Sequence, residues 1–560
     1  QIVMALLLLT GLVGGLVGGL VARKNKDNDK NDLILSSPAP TTLLPTTSPS
    51  LAPSAMPSAA PSFSAEAVAL QQVLVEASVW DQGQALLNDS VSPQYQAFVW
   101  LLTPEGGALN NPSSVLQRYA LATLYYATGG PQWKDTTGWL SSASECTWYG
   151  QTPRIDTHAP NSALCDLSDN VRYLVLNNHN LIGTLPPELA LLREIREWRL
   201  SGNDLQGPAP RLATWSFVQL LDLSDNQLTG PLPLPQDNAS DSSLFGASLT
   251  ELVLNDNLFN DTLQEFNLTR VSQLSTLDLS RNLLTGALPD TMASLTRLQI
   301  LRLRENYFEG EIDDALWQAW SSRLQILDLA NAGLGGTIPT ELGALRQLQV
   351  MDLSYSSRNR QGIRNAFYGT IPESIAHLQD TLVELYWDDN QFNGTFPQAL
   401  TELTNLQILE AKRNQFSSTL PPSLANMTAL QNLALHNNLL TGRLPTELAL
   451  LSNANLREFQ VGTNQLTGPI PTEWGALTRL TRLFVNTNFL TGEIPTHIGL
   501  MTSLSSFVIH TNLFTGQFPT QIGKLKQLSM IQLQNLYGIT GTVPTEFGLL
   551  TNMARVRMTE

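Results

Sequence analysis

The segment LDLSDNQLTGPLP, from Leu221 to Pro233, recurs along this chain with small changes. It returns as LDLSRNLLTGALP from Leu277 to Pro289 and as LFVNTNFLTGEIP from Leu483 to Pro495. About fifteen such units of roughly 24 residues lie between Val171 and Leu550. Because the L-x-L piece alternates in apolar character, each unit predicts a short strand with two leucines in a core and the residue between them in solvent.

Repeats of this length, with the frame L-x-L-x-x-N-x-L-x-G-x-I/L-P, resemble those of leucine-rich repeat proteins. The resemblance implies an α/β solenoid of about 15 repeats plus the start of another, in which each unit buries its apolar side against its neighbours. Its strands are expected to form one parallel sheet on the concave face of a right-handed superhelix. A helical cap is expected over the N-terminal end.

One asparagine recurs at the same place in most units, where its buried amide can satisfy the backbone of the turn after each strand. We call these residues the ladder asparagines: Asn203, Asn226, Asn257, Asn282, Asn306, Asn365, Asn390, Asn414, Asn438, Asn464, Asn488 and Asn512. His179, Ala332 and Tyr537 take this register without the amide. We expect those three units to be locally weaker.

The second half of each unit, as in Gly468 to Pro471 and Gly492 to Pro495, resembles the plant-specific subclass of leucine-rich repeats. That subclass includes ectodomains of receptor kinases, receptor-like proteins and inhibitors of wall-degrading enzymes. These roles are implied by the resemblance and not by the repeat itself.

The segment before the first repeat, Gly129 to Cys165, contains Trp133, Trp139 and the run CTWYG from Cys146 to Gly150. It resembles the N-terminal cap of plant-type repeats, although the second cysteine comes later than in that family. The resemblance implies a disulfide between Cys146 and Cys165, and two buried thiols are the alternative. A disulfide would indicate an oxidising compartment.

Residues 1–22 are predicted to form a transmembrane helix, because Ile2 to Ala22 carries no charge and is long enough to cross a bilayer. A cleaved signal peptide is the alternative. Gly11, Gly15 and Gly19 have the spacing of a helix-pairing motif, so a homodimer is one possible arrangement. Basic residues follow the span, yet the disulfide and the linker favour a plasma-membrane protein with extracellular repeats.

The rest of the chain divides into three parts. We expect residues 23–64 to form a basic juxtamembrane segment and a Ser/Thr/Pro-rich linker, residues 65–170 a helical and disulfide-linked cap, and residues 171–560 a repeat domain that is truncated at its C-terminus. In the cap, Ser92-Pro93 opens one predicted helix and Val115 to Thr128 forms another. This order of parts resembles the membrane-anchored leucine-rich repeat proteins of diatoms.

Composition and the absence of certain motifs argue against several classes of function. Of 560 residues 42% are apolar, which allows a large core, and a formal net charge of -16 argues against a nucleic-acid partner. The chain has no phosphate-binding loop, kinase motif or H-E-x-x-H run. We therefore expect no catalysis and no cofactor or metal.

Ligand-binding candidates are expected at the solvent-facing strand positions, in an inserted basic loop and in an Arg-x-Arg pair. The strand positions are Tyr386, Asp388, Asp389, Glu410, Lys412, Arg413, His436, Phe484 and His510; the loop contributes Arg358, Arg360 and Arg364, and the pair is Arg555 and Arg557. A merely soluble surface is the alternative for each. Glycosylation sequons occur at Asn88, Asn238, Asn260, Asn267, Asn393 and Asn426, a number near that expected by chance.

The leading hypothesis is a membrane-anchored, receptor-like ectodomain that binds a protein, peptide or glycan and signals with a co-receptor. The alternatives are an inhibitor of secreted wall-degrading hydrolases and a structural or adhesion protein of the cell surface.

Overall fold

The computed structural model describes residues 64–77, 89–106, 114–148, 165–209, 215–234, 246–355, 363–453 and 455–558. The predicted membrane span 1–22 and almost all of the linker 23–64 lie outside these ranges. None of the helices within the ranges combines the length and the apolar character that crossing a bilayer requires.

Sixteen parallel strands of the described chain form one main sheet, in sequence order. They are the odd-numbered strands β1 Tyr173–Val175, β3 Glu197–Arg199, β5 Leu220–Asp222, β7 Glu251–Val253, β9 Thr276–Asp278, β11 Ile300–Arg302, β13 Ile326–Asp328, β15 Val350–Asp352, β17 Glu384–Tyr386, β19 Ile408–Glu410, β21 Asn432–Ala434, β23 Glu458–Gln460, β25 Arg482–Phe484, β27 Ser506–Val508, β29 Met530–Gln532 and β31 Arg555–Arg557. Fifteen repeats plus the start of another account for these strands, so the predicted fold class is confirmed.

Every main strand from β1 to β29 places its middle residue, which is apolar, in the core. From β1 to β29 the middle residue, such as Leu277 or Leu483, is at most 1% exposed. The middle residues pair across neighbouring strands, as Leu483 does with Phe507. The residues on either side therefore point to the opposite face of the sheet.

Shorter strands follow the turn after each main strand: β2 Ile182–Thr184, β4 Asp204–Pro208, β6 Gln227–Gly230, β8 Leu258–Phe259, β10 Thr285–Gly286, β12 Tyr307–Phe308, β14 Gly335–Thr337, β16 Ala366–Gly369, β18 Gln391–Phe392, β20 Ser417–Thr419, β22 Leu439–Arg443, β24 Gln465–Gly468, β26 Phe489–Glu493, β28 Leu513–Gln517 and β30 Gly538–Thr540. They form four separate sheets, the longest running from β20 to β30. Gly492, the next-to-last residue of β26, has a φ of +79°, a left-handed conformation that favours glycine.

Four α-helices are described: α1 Ala65–Ala77, α2 Pro93–Leu101, α3 Val115–Ala127 and α4 Asp314–Ala319. The remaining helices are 3-10 helices, most of which begin directly after the proline of a repeat: Gly130–Gln132, Glu145–Thr147, Pro187–Leu191, Leu263–Glu265, Leu268–Val271, Asp290–Ser294, Trp320–Ser322, Thr340–Ala344, Glu373–Leu378, Gln398–Glu402, Pro422–Asn426, Thr446–Asn453, Thr472–Ala476, Thr496–Leu500, Thr520–Lys524 and Thr545–Leu549. They close each unit on the side away from the main sheet.

The ladder asparagines connect neighbouring units as well as satisfying their own turns. The Asn488 amide nitrogen donates to the carbonyls of Val461 in the preceding unit and Val485 in its own, at 3.0 and 3.1 Å. Its amide oxygen accepts from the backbone N–H of Leu466, again in the preceding unit, at 3.0 Å. Where Ala332 replaces the asparagine, the backbone N–H of Phe308 donates to the Ala332 carbonyl instead.

The cap contains both helices predicted from the sequence. Ser92 caps α2 by accepting from the backbone N–H of Tyr95 at 3.0 Å, and Pro93 follows it. Helix α3 packs against the 3-10 helix Pro187–Leu191 of the first repeat. The structure joins Cys146 and Cys165 by a disulfide with a Cα–Cα distance of 5.5 Å.

Candidate functional site

The side of the main sheet away from the core is the candidate site, and we call it the open face. Each unit contributes to it the last residue of the main strand and the two residues that precede the ladder position. In the unit of β17 these are Tyr386, Asp388 and Asp389. The strand register aligns the last residues of successive strands, so Asp352, Tyr386 and Glu410 lie side by side.

A cluster of opposite charges lies at the centre of the open face. The Lys412 ammonium contacts Asp388 at 2.5 Å and Glu410 at 2.7 Å. Burial raises the pKa of Asp388 to about 7 even though Lys412 opposes this. Burial lowers the pKa of Lys412, but Asp388 and Glu410 together raise it by more. Two carboxylates share one ammonium, so the cluster can accept a further proton.

We expected Asp388 to face solvent, and that expectation is wrong. Its residue is 6% exposed, because the backbone N–H of Lys412 and the Lys412 ammonium both cover its carboxylate. Asp389 is half-buried and pairs with Arg413 at 2.9 Å. The Tyr386 hydroxyl donates to Glu384 at 2.9 Å, and burial, followed by Glu384, raises the Tyr386 pKa.

A second charged cluster lies next to the first and was not singled out from the sequence. Asp328 and Asp352 are paired in the strand register, and Arg304 contacts Asp328 at 3.3 Å. Burial and then the neighbouring Asp328 raise the pKa of Asp352 to about 6. Arg302 contacts Asp278 at 3.5 Å on the other side. The sequence signal for this cluster was the aspartate of the L/M-D-L run, which recurs at Asp278, Asp328 and Asp352. Arg302 and Arg304 lie in the unit between the first two of these aspartates.

Beyond β21 the charges on the open face become fewer: Glu458 and Arg482, the first residues of β23 and β25, form an ion pair at 2.8 Å, and Arg557 ends β31. His436 is half-buried, and burial, with Lys412 and Arg413, lowers its pKa to about 4. Phe484 lies between Gln460 and Val508 in the strand register. His510 is in hydrogen-bonding contact with the Thr511 hydroxyl at 3.1 Å, and its pKa is lowered by burial and then by Arg557.

The remaining candidates are spread over other parts of the chain. Arg555 and Arg557 are exposed at both ends of β31, whereas Arg364 lies over the Tyr355 ring at 4.9 Å. Arg358 and Arg360 lie outside the described residues. The structure does not place Arg364, Arg555 or Arg557 in the central clusters.

Four of the six sequons are described. Asn260, Asn393 and Asn426 are exposed, and Asn267 is half-buried with its amide oxygen accepting from the backbone N–H of Thr269 at 3.2 Å. Asn88 and Asn238 lie outside the described residues. Among the residues that are described, no three His, Cys, Asp or Glu side chains are grouped to hold a metal ion.

Two segments of the chain, 273–295 and 405–427, match the family model of the Leucine Rich Repeat. Receptor-like protein 32 of Arabidopsis thaliana is 31% identical over 184 residues, which cover 32% of this chain and 20% of that protein. The chain thus spans about a fifth of the length of this curated relative.

Solved receptor structures share the fold over a larger part of the chain. The plant peptide hormone receptor RGFR1 in complex with RGF2 is 26% identical to this chain with a TM-score of 0.58. The match covers 69% of this chain and 62% of the receptor chain. A TDR receptor is 27% identical with a TM-score of 0.59, and the match covers 69% of this chain and 67% of the receptor chain.

The protein is therefore a leucine-rich repeat solenoid. Its repeats resemble those of the plant type, and part of the chain is similar to receptor-like proteins of plants.

Proposed function

We propose that this chain is a recognition ectodomain, tethered to the plasma membrane by its N-terminal segment, with its repeats outside the cell. It binds a protein, peptide or glycan ligand on the open face, without catalysis. It signals through a partner protein, a co-receptor or a second copy of the chain.

The observation that carries the proposal is the buried charge on the open face. Lys412 with its two carboxylates and Arg304 with Asp328 and Asp352 are largely removed from water. Burying ion pairs costs desolvation energy, and apolar replacements of similar size are often neutral or stabilising. The solenoid does not need these charges, because its core and ladder asparagines already join the units. A binding role accounts for their presence.

Two further findings support the proposal. RGFR1, which shares the fold, is a peptide hormone receptor that was solved with RGF2 bound. The disulfide between Cys146 and Cys165 is the kind of cross-link that persists in oxidising compartments, as expected for a domain that is exported.

A surface-accessibility experiment tests the location. The full chain is expressed with a tag after Glu560, and intact cells are treated with protease. We expect the tag to be cleaved and the Cys146 and Cys165 thiols to be alkylated only after reduction. A protected tag with freely alkylated thiols would place the repeats inside the cell and refute the proposal.

A binding experiment tests the face. The full chain is screened against synthetic peptide pools and an oligosaccharide array, and hits are measured again with Lys412→Met. Lys524→Met is the matched control, because Lys524 is the exposed last residue of the 3-10 helix Thr520–Lys524. We expect Lys412→Met to weaken the binding of ligands that contact the charged clusters and Lys524→Met to leave it unchanged. Equal effects of the two variants on every ligand would contradict a site at these clusters.

A further inference from the structure

The open face has two chemically different halves. From β9 to β19 every unit contributes at least one charged side chain to it, such as Asp278, Arg302 or Glu410. From β23 to β29 the same three positions of each unit carry none. We call this second half the neutral patch; it consists of Gln460, Gly462, Thr463, Phe484, Asn486, Thr487, Val508, His510, Thr511, Gln532, Gln534 and Asn535. The charged side chains next to the patch, Glu458 and Arg482, pair with each other at 2.8 Å, so the patch itself offers polar and apolar groups rather than charges.

Three threonines of the neutral patch have an unfavourable backbone conformation. Thr463, Thr487 and Thr511 take φ values of 55°, 53° and 56° in three successive units. The turn before the ladder position requires this conformation, and most other units place Asn, Asp or Gly there. Among the described residues these three are the β-branched side chains with positive φ. Because a β-branched residue is strained in the left-handed region, asparagine would be the more stable choice at each position.

The strained threonines occupy the same position in three successive units. They lie 24 residues apart, one on each neighbouring unit, and adjacent strands are about 4.8 Å apart. Thr463 is exposed, and Thr487 and Thr511 are half-buried, so all three remain open to solvent. Their neighbours are amides and an imidazole: the Asn535 amide donates to the Thr511 hydroxyl at 3.3 Å, and the Asn486 amide to that of Thr487 at 3.4 Å. Each of these groups offers both donors and acceptors.

Phe484 supplies an aromatic surface next to these polar groups. The residue is half-buried and lies in register between Gln460 and Val508. An apolar ring face flanked by amides and hydroxyls suits a ligand with apolar C–H faces and hydroxyl edges. Sugar rings have this combination, whereas a peptide has amide groups at a shorter repeat of about 3.4 Å along an extended strand.

We infer that the neutral patch binds an uncharged oligosaccharide, with one sugar ring on Phe484 and sugar hydroxyls hydrogen-bonded to the threonine row. This inference rests on the proposed function, since it names the ligand class for one half of the open face. On this inference the threonine hydroxyls offset the strain, because the polar atoms of an asparagine lie one bond farther from the backbone than a threonine hydroxyl.

The test uses the full chain in lipid nanodiscs, because sugar-based detergents would compete for the site. Titration calorimetry is carried out with hexasaccharides of β-1,4-glucose, β-1,3-glucose, β-1,4-xylose and β-1,4-mannose. Oligogalacturonate and a pool of synthetic peptides serve as charged and peptidic probes. We expect saturable binding of at least one neutral hexasaccharide and none of oligogalacturonate at this patch.

Three variants then locate the site. Thr487→Val keeps the branched shape and removes the hydroxyl, so loss of one hydrogen bond predicts binding weaker by about three- to tenfold. Thr487→Asn is expected to weaken binding while raising the midpoint of urea unfolding, since it relieves the backbone strain. Thr491→Val is the matched control, because Thr491 is an exposed threonine on β26, outside the patch. It is expected to leave binding unchanged.

Several outcomes would overturn the inference. Binding of peptides or oligogalacturonate alone would refute it and leave the proposed function standing. Neutral sugar binding with equal affinity in Thr487→Val and the parent would place the sugar elsewhere and also refute it. If no probe of any class binds, both the inference and the proposed function fail.

Discussion

Replacing Arg118 by lysine tests whether one buried guanidinium holds the cap together. The Arg118 side chain is 6% exposed and its partner Glu145 3%. It lies over the rings of Trp100 and Trp148, with centroid distances of 5.3 and 5.0 Å. Its nitrogens donate five hydrogen bonds of 2.9 to 3.1 Å, to the Glu145 carboxylate and to the carbonyls of Glu105, Gly106, Ser141 and Ala143.

Lysine keeps the charge but has three donors at one nitrogen, so at least two of the five acceptors lose their partner. Hydrogen bonds from charged donors contribute about 1.5–3 kcal/mol each. We therefore expect Arg118→Lys to lower the local stability of the cap by about 4 kcal/mol. The repeats far from the cap should be affected little, because each unit of a solenoid contacts only its neighbours.

Hydrogen exchange followed by mass spectrometry measures this local effect in peptides from α3. The matched control is Arg199→Lys, since Arg199 pairs with Glu197 in the open, with the two side chains 34% and 26% exposed. Exposed ion pairs contribute about 0–1 kcal/mol, so the control should change protection little. A loss below about 1 kcal/mol in Arg118→Lys would refute the idea that the planar fork organises the cap.

Three further changes test other parts of the fold. Asn488→Ala removes hydrogen bonds to both its own and the preceding unit, so we expect a loss of about 2–4 kcal/mol, seen as faster hydrogen exchange around β23 and β25 and not in the cap. Asp352 has its pKa raised from 3.8 to about 6, so its contribution to stability is complete below about pH 4 and is lost as pH rises through 6. Asp352→Asn should remove this pH dependence, worth about 3 kcal/mol in urea unfolding, and an unchanged profile would contradict the assignment. The double change Cys146→Ser and Cys165→Ser should cost the cap about 3 kcal/mol, measured by exchange in α3, since the cysteines are 19 residues apart.

The main sheet could be predicted because each unit contains, within its own sequence, the pattern that forms a main strand and its turn. The two leucines of L-x-L and the asparagine five residues after the first of them, as in Leu277 to Asn282, predict a strand and a turn without reference to other units. The division of the shorter strands into four sheets was not predicted. This division depends on where each shorter strand ends. Strands β8 and β18 end after two residues, and the next residue is Asn260 or Asn393 where most units have a threonine.

The candidate site was less predictable, because its contacts join residues one repeat apart. Lys412 reaches Asp388 across 24 positions, and this contact buries the carboxylate that the strand pattern alone placed in solvent. Arg304 with Asp328 has the same separation. A pattern within one unit predicts which positions face outward, but the neighbouring unit determines which of them remain exposed.

The positions that stabilise each unit therefore differ from the positions that we propose to bind a ligand. The core residue of each strand and the ladder asparagines connect successive units, and these positions tolerate little change in size or polarity. On the open face, Asp352 and Asp388 are carboxylates held where burial opposes their charge, and Thr463, Thr487 and Thr511 are strained where asparagine would not be. Neither choice is required by the turn or by the packing of the sheet. Two independent departures from the most stable residue thus lie on one surface, which is the pattern expected of a surface selected for binding.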